Sequence, residues 1–545
     1  MRVTTMADRL RISILENVFY KEKGMKLTDK SNLAVILMLL GALLRFVYLG
    51  SMPGGLHQDE AFVAWNAFAL WKDGIDSAGN VFPVYIADWG DGHSALYSYL
   101  LIPIYALVGE ENITYFVTRL PQATIGTITL LVVYLLLRHM FGEKEGRWGL
   151  FLLAICPWHV MMCRWGLDAN LAPAFLMFGL YFFIRGLDDN RWMIAAALSY
   201  GIGLYSYALV WPIVPVMLFL QIAYGVYWKK LSVNKWAIIS VILLGIIAFP
   251  LLLFVINNSF GNGNAIRLGF MTIPRMSGYR AGELAISFSG MWSNLRRVLT
   301  LLWRQNIGAP QDILLPYGLF YDIGRMFIII GVPALVFNMI KKLRRKEFSY
   351  EVFIFIQLIG AGITCAIVYV YLHQINSLYI PLVLCEAYGV WTVINWIKNK
   401  NYSLARLVAI ALATTYMICL IFFQKDYYGG YKSLANSYYQ AKVKDAVEYA
   451  MEQGNEIVVE RGAQWPRVLF YSRTTPKQYL SSVVYSNEPE PAYFSDGKHT
   501  FYINSEYENI DPEKIYIIYF PEKVKFEADF ELKQFEEWYV AIPRN

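Results

Sequence analysis

Charge is scarce in this chain: only 17% of its 545 residues are Asp, Glu, Lys or Arg, while 57% are apolar. Soluble domains carry nearer a quarter charged residues, so a large water-soluble protein is excluded and a polytopic membrane protein is indicated. Cysteine is equally sparse. Cys156, Cys163, Cys365, Cys385 and Cys419 lie in apolar segments without CxxC spacing, which excludes a disulfide framework and a cysteine zinc site. They read as small core residues. The chain also lacks a glycine-rich phosphate loop, so neither a nucleotide nor nucleic acid is indicated as a direct partner. What it does have is long apolar runs and 16% aromatics, suited to interfacial belts and to sugar or lipid contacts.

The first run, 32–50, is long enough to cross a bilayer and follows a Lys- and Arg-rich segment, which predicts a retained helix with a cytoplasmic N-terminus. Met25 opens a short basic lead, MKLTDK, that would serve as a start, leaving 1–24 dispensable. Segment 94–109 is short for a span and contains Pro103, so it is expected along the outer surface. The later spans then run 119–141, 147–164, 169–187, 191–208, 210–228, 236–256, 324–341, 350–371, 376–397 and 403–423. This places every basic cluster, such as Arg138 to Arg147 and Lys341 to Lys346, on one side. The expectation is eleven spans in 31–424 after a cytoplasmic segment 1–30, with the C-terminus outside. Residues 425–545 hold fourteen Lys and Arg against nineteen Asp and Glu. A helical pattern at 436–453, followed by EIVVE, FYIN, IYIIYF and WYVAI, predicts a small extracytoplasmic α/β domain.

Nearly all polar residues of chemical interest fall in the predicted outer pieces. Asp59 and Glu60, in LHQDEAFVAW, place two adjacent carboxylates at the membrane-water boundary, where a carboxylate can take a proton from a hydroxyl beside a lipid-borne substrate. They also stand where a helix N-terminus would welcome them. The following AFVAWNAFALWKDG predicts an amphipathic surface helix with Phe62, Trp65 and Phe68 on its apolar face. Asp88, Asp91 and His93 supply oxygen and nitrogen ligands suited to a divalent metal, or simply a solvated loop. In CRWGLDANLAP, Arg164 and Asp168 lie four residues apart. They form either an ion pair, or a phosphate contact through the forked guanidinium plus an acid that positions sugar or acceptor.

Loop 257–323 is too long for a mere connection. Arg267, Arg275, Arg280, Arg296, Arg297 and Arg304 outnumber Glu283, Asp312 and Asp322 there, giving a basic surface suited to an anionic lipid headgroup. Segment 284–303 is expected as an interfacial helix, and NNSFGNGN as a hinge for lid movement.

HQDEA, GDGHSALYSYL, TRLPQATIG and PWHVMMCRWGLDANLAP, in this order, resemble the polyprenyl-phosphate-dependent glycosyltransferases of the GT-C fold. The similarity is to the dolichyl-phosphate-mannose protein mannosyltransferases and the lipid A aminoarabinose transferase. It covers roughly 30–424 and is most specific in 55–170. The resemblance implies Asp59 as catalytic base or acceptor-orienting carboxylate, Glu60 as its partner and Asp168 as the second outer acid. Asp91 falls near a metal-binding glutamate of the aminoarabinose transferase. Two departures are visible: Gly92-His93-Ser94 replaces a Lys-Pro element, and Gln374 and Ser377 stand where the family commonly has an arginine facing the carrier phosphate.

The chemistry expected is direct displacement with inversion, from a polyprenyl-phosphate-linked sugar to a hydroxyl of a protein, glycan or lipid acceptor. Asp59, Glu60 and Asp168 are the expected catalytic acids. His57, Asp91, His93, Arg164, Arg275, Arg280 and Arg304 are the expected substrate contacts. A divalent metal is a candidate cofactor at Asp91 and His93. A lipid-carrier transporter or flippase is the alternative; it would need ionisable residues lining a path, and Arg45 and Glu386 are the main mid-span charges.

Overall fold

The computed structural model describes residues 29–87, 92–261, 263–276, 284–285, 287–305, 310–487, 490–504, 507 and 510–544. The lead 1–28, Asp88, Asp91, Arg280 and Glu283 lie outside them. The helices run α1 (Asp29–Phe46), α2 (Gln58–Asp73), α3 (Leu96–Val108), α4 (Tyr115–Phe141), α5 (Glu143–Ile155), α6 (Pro157–Met162), α7 (Ala172–Gly186), α8 (Trp192–Gly203), α9 (Val210–Tyr227) and α10 (Lys235–Phe260). They continue with α11 (Phe288–Arg304), α12 (Asp322–Arg344), α13 (Glu351–Ile367), α14 (Tyr379–Lys398), α15 (Tyr402–Tyr428), α16 (Tyr431–Tyr438), α17 (Val443–Gln453), α18 (Trp465–Ser472) and α19 (Pro476–Ser482).

Among the described residues, seven of the eleven expected spans are helices long and apolar enough to cross a bilayer, the segments containing α4, α7, α9, α10, α12, α14 and α15. The runs 32–50, 191–208 and 350–371 form the shorter apolar helices α1, α8 and α13. The run 147–164 is broken rather than continuous. Cys156 adopts an extended conformation (ψ 122°) and Pro157 opens a new helix, because a residue before proline is pushed out of the helical region and proline has no N–H for the previous turn. On α10, Ile238, Val241, Ile242 and Ile246 are exposed, the inverted pattern of a helix facing lipid. Helices α12 and α14 cross so closely that a Cβ on Gly331 would stand 1.8 Å from the Cys385 carbonyl oxygen; small residues let two backbones meet. Helix α3 has 13 residues, about 20 Å of rise, which is short of a hydrocarbon core.

Two short antiparallel pairs, β1 (Tyr85–Ile86) with β2 (His93–Ser94) and β3 (Ile266–Leu268) with β4 (Met271–Ile273), precede the C-terminal segment. There the strands β5 (Glu456–Glu460), β6 (Val484–Asn487), β7 (Glu490–Ser495), β8 (Thr500–Asn504), β9 (Ile515–Tyr519), β10 (Phe530–Phe535) and β11 (Trp538–Pro543) form a seven-stranded sheet in the order β10-β11-β9-β5-β8-β7-β6. Strand β5 pairs in parallel with β8 and β9, while β6, β7, β10 and β11 pair antiparallel. The four strands expected from EIVVE, FYIN, IYIIYF and WYVAI are all present. The sheet's helices α17 and α18 share one hydrophobic core with α2 and α3, which overturns one expectation. Helix α2 is not amphipathic at an interface: every residue from Glu60 to Leu70 is buried, since the C-terminal domain covers the face that would otherwise meet water. Trp65 donates its indole N–H to the Thr474 carbonyl at 2.8 Å, tying the two layers.

Candidate active site

The N-terminus of α2 organises the site. His57 is its N-cap in extended conformation, and its Nδ1 accepts the Asp59 backbone N–H at 3.3 Å. Accepting there requires a neutral imidazole, and burial drives His57 below its ordinary pKa, partly offset by Asp59. The 3.6 Å separation of His57 Nδ1 from Asp59 Oδ2 is therefore a cap geometry rather than an ion pair. Asp59 keeps 23% of its side chain exposed.

Glu60, one residue on, points the opposite way and is wholly buried. Its carboxylate takes both forks of Arg119, Nε to Oε1 at 2.8 Å and Nη2 to Oε2 at 2.9 Å, plus the Gly166 N–H at 2.9 Å. Arg119 spends its remaining donors on the carbonyls of Leu49, Pro53 and Gly55. The pair clamps the loop after α1, the start of α4 and the 163–167 turn together. Glu60, expected as a catalytic acid, has its carboxylate taken up by this clamp.

Arg164, expected as a phosphate contact or the ion-pair partner of Asp168, is likewise bonded within the fold. Its guanidinium is fully buried, bonded to the carbonyls of Leu44, Arg45 and Met52 and covered by the rings of Tyr427 and Tyr428. Among the described residues it forms no ion pair with Asp168. Asp168, 3% exposed in its side chain, accepts the backbone N–H of Ser94 at 2.9 Å and of Ala169 at 2.7 Å, with His93 Nδ1 3.5 Å from Oδ2. It holds the short pair β1 (Tyr85–Ile86) and β2 (His93–Ser94) against the turn. His93 packs on Phe62, ring centres 5.4 Å apart. Among the described residues no group of three or more His, Cys, Asp or Glu is placed to hold a metal ion. Of the expected pair of ligands, Asp91 lies outside the described residues.

Asp59 instead opens into a cavity of about 770 Å³, with His57, Arg296, Arg297, Asp312, Tyr371 and His373 among its lining residues. Helix α11, where an interfacial helix was expected, supplies the cations. It buries Asn294, Val298 and Leu301 inward and leaves Phe288, Leu299 and Trp303 exposed, while Arg296 and Arg297 lie on the cavity side. Arg297 stacks over Tyr369 at 4.3 Å. Of the other expected arginines, Arg275 is tied to the Asn257 carbonyl at 2.5 Å, and Arg304 and Arg267 are not among the cavity's lining residues. The other flank of α11, with Leu299, Leu302 and Trp303, borders a second and apolar groove of about 640 Å³ shared with Met326 and Ile329 of α12.

An aromatic wall links the two sides of the cavity. Trp165 packs edge-on against His57 at 5.1 Å and His373 at 6.2 Å, and Tyr439 closes on both His57 and Trp165. Behind His57 stands Arg467, from α18. It is buried, bonded to the Leu56 and Ala463 carbonyls, and lowered by burial to about 10. Sequence reasoning missed Arg119, Trp165, Asp312, His373, Tyr439 and Arg467. The one available signal was Arg119 itself, a charge inside the apolar TRLPQATIG run.

Comparison with solved structures places this architecture. The apo crystal structure of ArnT from Cupriavidus metallidurans superposes with a TM-score of 0.54 at 11% identity, covering 94% of this chain and 98% of that one. Its complex with undecaprenyl phosphate gives the same score at 13% identity and the same coverage. The chain has a GT-C fold. The oligosaccharyltransferase of Archaeoglobus fulgidus, crystallised with Zn and sulfate, shares that fold with a TM-score of 0.51 at 13% identity, covering 81% of this chain and 61% of that one. Residues 92–254 match the family model of dolichyl-phosphate-mannose-protein mannosyltransferases. YkcB of Bacillus subtilis (strain 168), which carries a mannosyltransferase name, is 24% identical over 176 residues; the match covers 30% of this chain and 25% of that relative's length. The GT-C fold and the apolar helices make this a multi-pass membrane protein.

Proposed function

We propose that this protein is an integral-membrane glycosyltransferase that moves a hexosyl or pentosyl unit from a polyprenyl-phosphate carrier to an acceptor hydroxyl. The observation that carries the proposal is the single cavity in which Asp59 faces Arg296 and Arg297: a base for one end of a displacement and cations for the other. The matches to mannosyltransferase sequences and to a structure bound to undecaprenyl phosphate support the same class of donor.

The acceptor oxygen attacks the anomeric carbon as its proton passes to Asp59, and the bond from that carbon to the phosphate oxygen breaks, its electron pair leaving with polyprenyl phosphate. Arg296 and Arg297 hold the departing phosphate, where donors matched to developing charge lower the barrier. The apolar groove beside α11 lies where the isoprenoid chain would run, and Trp303 on its rim suits the level of lipid headgroups. Attack from the face opposite the phosphate gives inversion. Glu60 and Asp168 act by fixing the loops that aim Asp59 and the aromatic wall. The positive-inside pattern supports a cytoplasmic N-terminus and an extracytoplasmic cavity and C-terminal domain.

A carrier-lipid transporter is disfavoured because the deep charges are locked. Arg45 is bonded to the Gly41, Leu153 and Ala154 carbonyls and to His159 Nδ1, and Glu386 accepts the Tyr416 hydroxyl at 2.6 Å. Purified protein incubated with radiolabelled polyprenyl-phosphate sugars and membrane extract should move label into a protein, glycan or lipid fraction. Label that stays on the carrier with every sugar and extract tried would refute the proposal.

A further inference from the structure

The cavity holds a second titratable pair that the proposed transfer does not use. Asp312 arrives on the segment after α11, which Tyr431 anchors by donating its hydroxyl to the Pro310 carbonyl. His373 arrives on the turn between α13 and α14, and its Nδ1 stands 3.8 Å from Asp312 Oδ2, an ion-pair distance. The ring is stacked on Tyr371 (centres 6.1 Å apart, planes at 16°) and meets Trp165 edge-on, so its orientation is fixed on two sides. Nδ1 is within ion-pair reach of the carboxylate without a hydrogen bond to it; Nε2, on the far side of the protonated ring, is a second donor, and 27% of the side chain is exposed. Arg296 and Arg297 line the same cavity.

Titratable and charged groups face His373 from every neighbouring segment: Asp312 after α11, Asp59 and His57 from the start of α2, Asp168 from the 165–168 turn, Arg296 and Arg297 from α11, and Tyr371 on its own turn. Burial disfavours the imidazolium, but Asp312, followed by the charges of Asp59 and Asp168, outweighs it and lifts His373 above the ordinary 6.5. An imidazolium held by an acid, beside two arginines, is a cationic donor without a cationic task inside the protein.

We infer that His373, oriented by Asp312, is a third cationic contact to the carrier phosphate beside Arg296 and Arg297, one that weakens as pH rises where an arginine would not. The contact is a hydrogen bond from Nε2 to a phosphate oxygen; no proton is transferred and no bond at His373 is made or broken. Asp312 is a positioning residue that acts through the ring. The inference rests on the proposed transfer reaction and adds to it a pH dependence located on the donor side.

The test is equilibrium binding of a polyprenyl-phosphate mannose to full-length protein from about pH 6 to about pH 9, a range in which a phosphodiester does not change charge. Wild-type affinity should fall about 10- to 100-fold across the range, the span that a hydrogen bond to a charged group supplies. His373→Gln should bind weakly and evenly at every pH, and His373→Arg tightly and evenly. Asp312→Asn should move the wild-type midpoint to lower pH. Wild-type binding that ignores pH, or His373→Gln that matches wild type, would overturn the inference while leaving the transfer reaction standing. Absence of any wild-type binding would remove both. Inorganic phosphate competing as well as the lipid would assign the site to free phosphate instead and overturn the carrier contact.

Discussion

Neighbouring carboxylates at 59 and 60 should respond to neutralisation in opposite ways, and Glu60→Gln is the informative half. Glutamine keeps the shape of the side chain but leaves the buried Arg119 guanidinium without a counter-charge. Breaking a buried ion pair from one side costs about 3–5 kcal/mol. Arg119 retains the Leu49, Pro53 and Gly55 carbonyls, and a glutamine oxygen can still take one N–H, so the expected loss is near the low end, about 3 kcal/mol. Glu60→Ala also strands the Gly166 N–H, which adds about 1–3 kcal/mol. Intrinsic tryptophan fluorescence during a thermal ramp in detergent reports the unfolding, since tryptophans buried in the fold, Trp65 and Trp165 among them, become exposed. Glu60→Gln should unfold several degrees early and Glu60→Ala earlier still, with transfer lost in proportion to folded protein. A Glu60→Gln variant that melts like wild type yet transfers nothing would show that Glu60 touches substrate.

The remaining expectations concern the cavity walls. Replacing Arg296 and Arg297 together by Gln should raise KM for the lipid donor at least 10-fold and flatten its salt dependence, with little change in melting temperature, since both side chains are exposed; unchanged KM in steady-state assays would remove them from the phosphate site. Burial, helped by the charge of Arg467, holds down the pKa of His57, so the neutral cap survives until pH falls through that lowered value. Arg467→Ala should raise the value, and the acid-side loss of activity should begin at higher pH; an acid limb that stays in place would uncouple the C-terminal domain from the site.

How much of this was readable in the chain follows from the range of the interactions. Spans and strands are legible because hydropathy and alternation are local: α10 and α12 fall on their predicted runs, as do the strands at 456–460 and 538–543. The start of α2 was legible for the same reason, from the acids of its first turn, but its N-cap, His57, was not. Burial was not. Phe62, Trp65 and Phe68 suggested one apolar stripe, but a domain some 400 residues away closes over the polar side as well, through Thr474 and Arg467. Arg164 and Glu60 carried the sequence signature of a site, and only tertiary partners, three carbonyls for one and Arg119 for the other, show that their charges are consumed in holding the loops. His373 and Asp312 lie 61 residues apart on irregular segments, where no periodicity announces a pair.

The central claim is that Asp59 is the base of a glycosyl transfer. Its most direct test is the single-turnover rate of label transfer from a radiolabelled polyprenyl-phosphate sugar by Asp59→Asn, measured beside its melting temperature and donor affinity. The account predicts wild-type melting, donor binding close to wild type and a rate reduced about 10²- to 10⁴-fold; a stably folded Asp59→Asn protein that transfers sugar at the wild-type rate would contradict it.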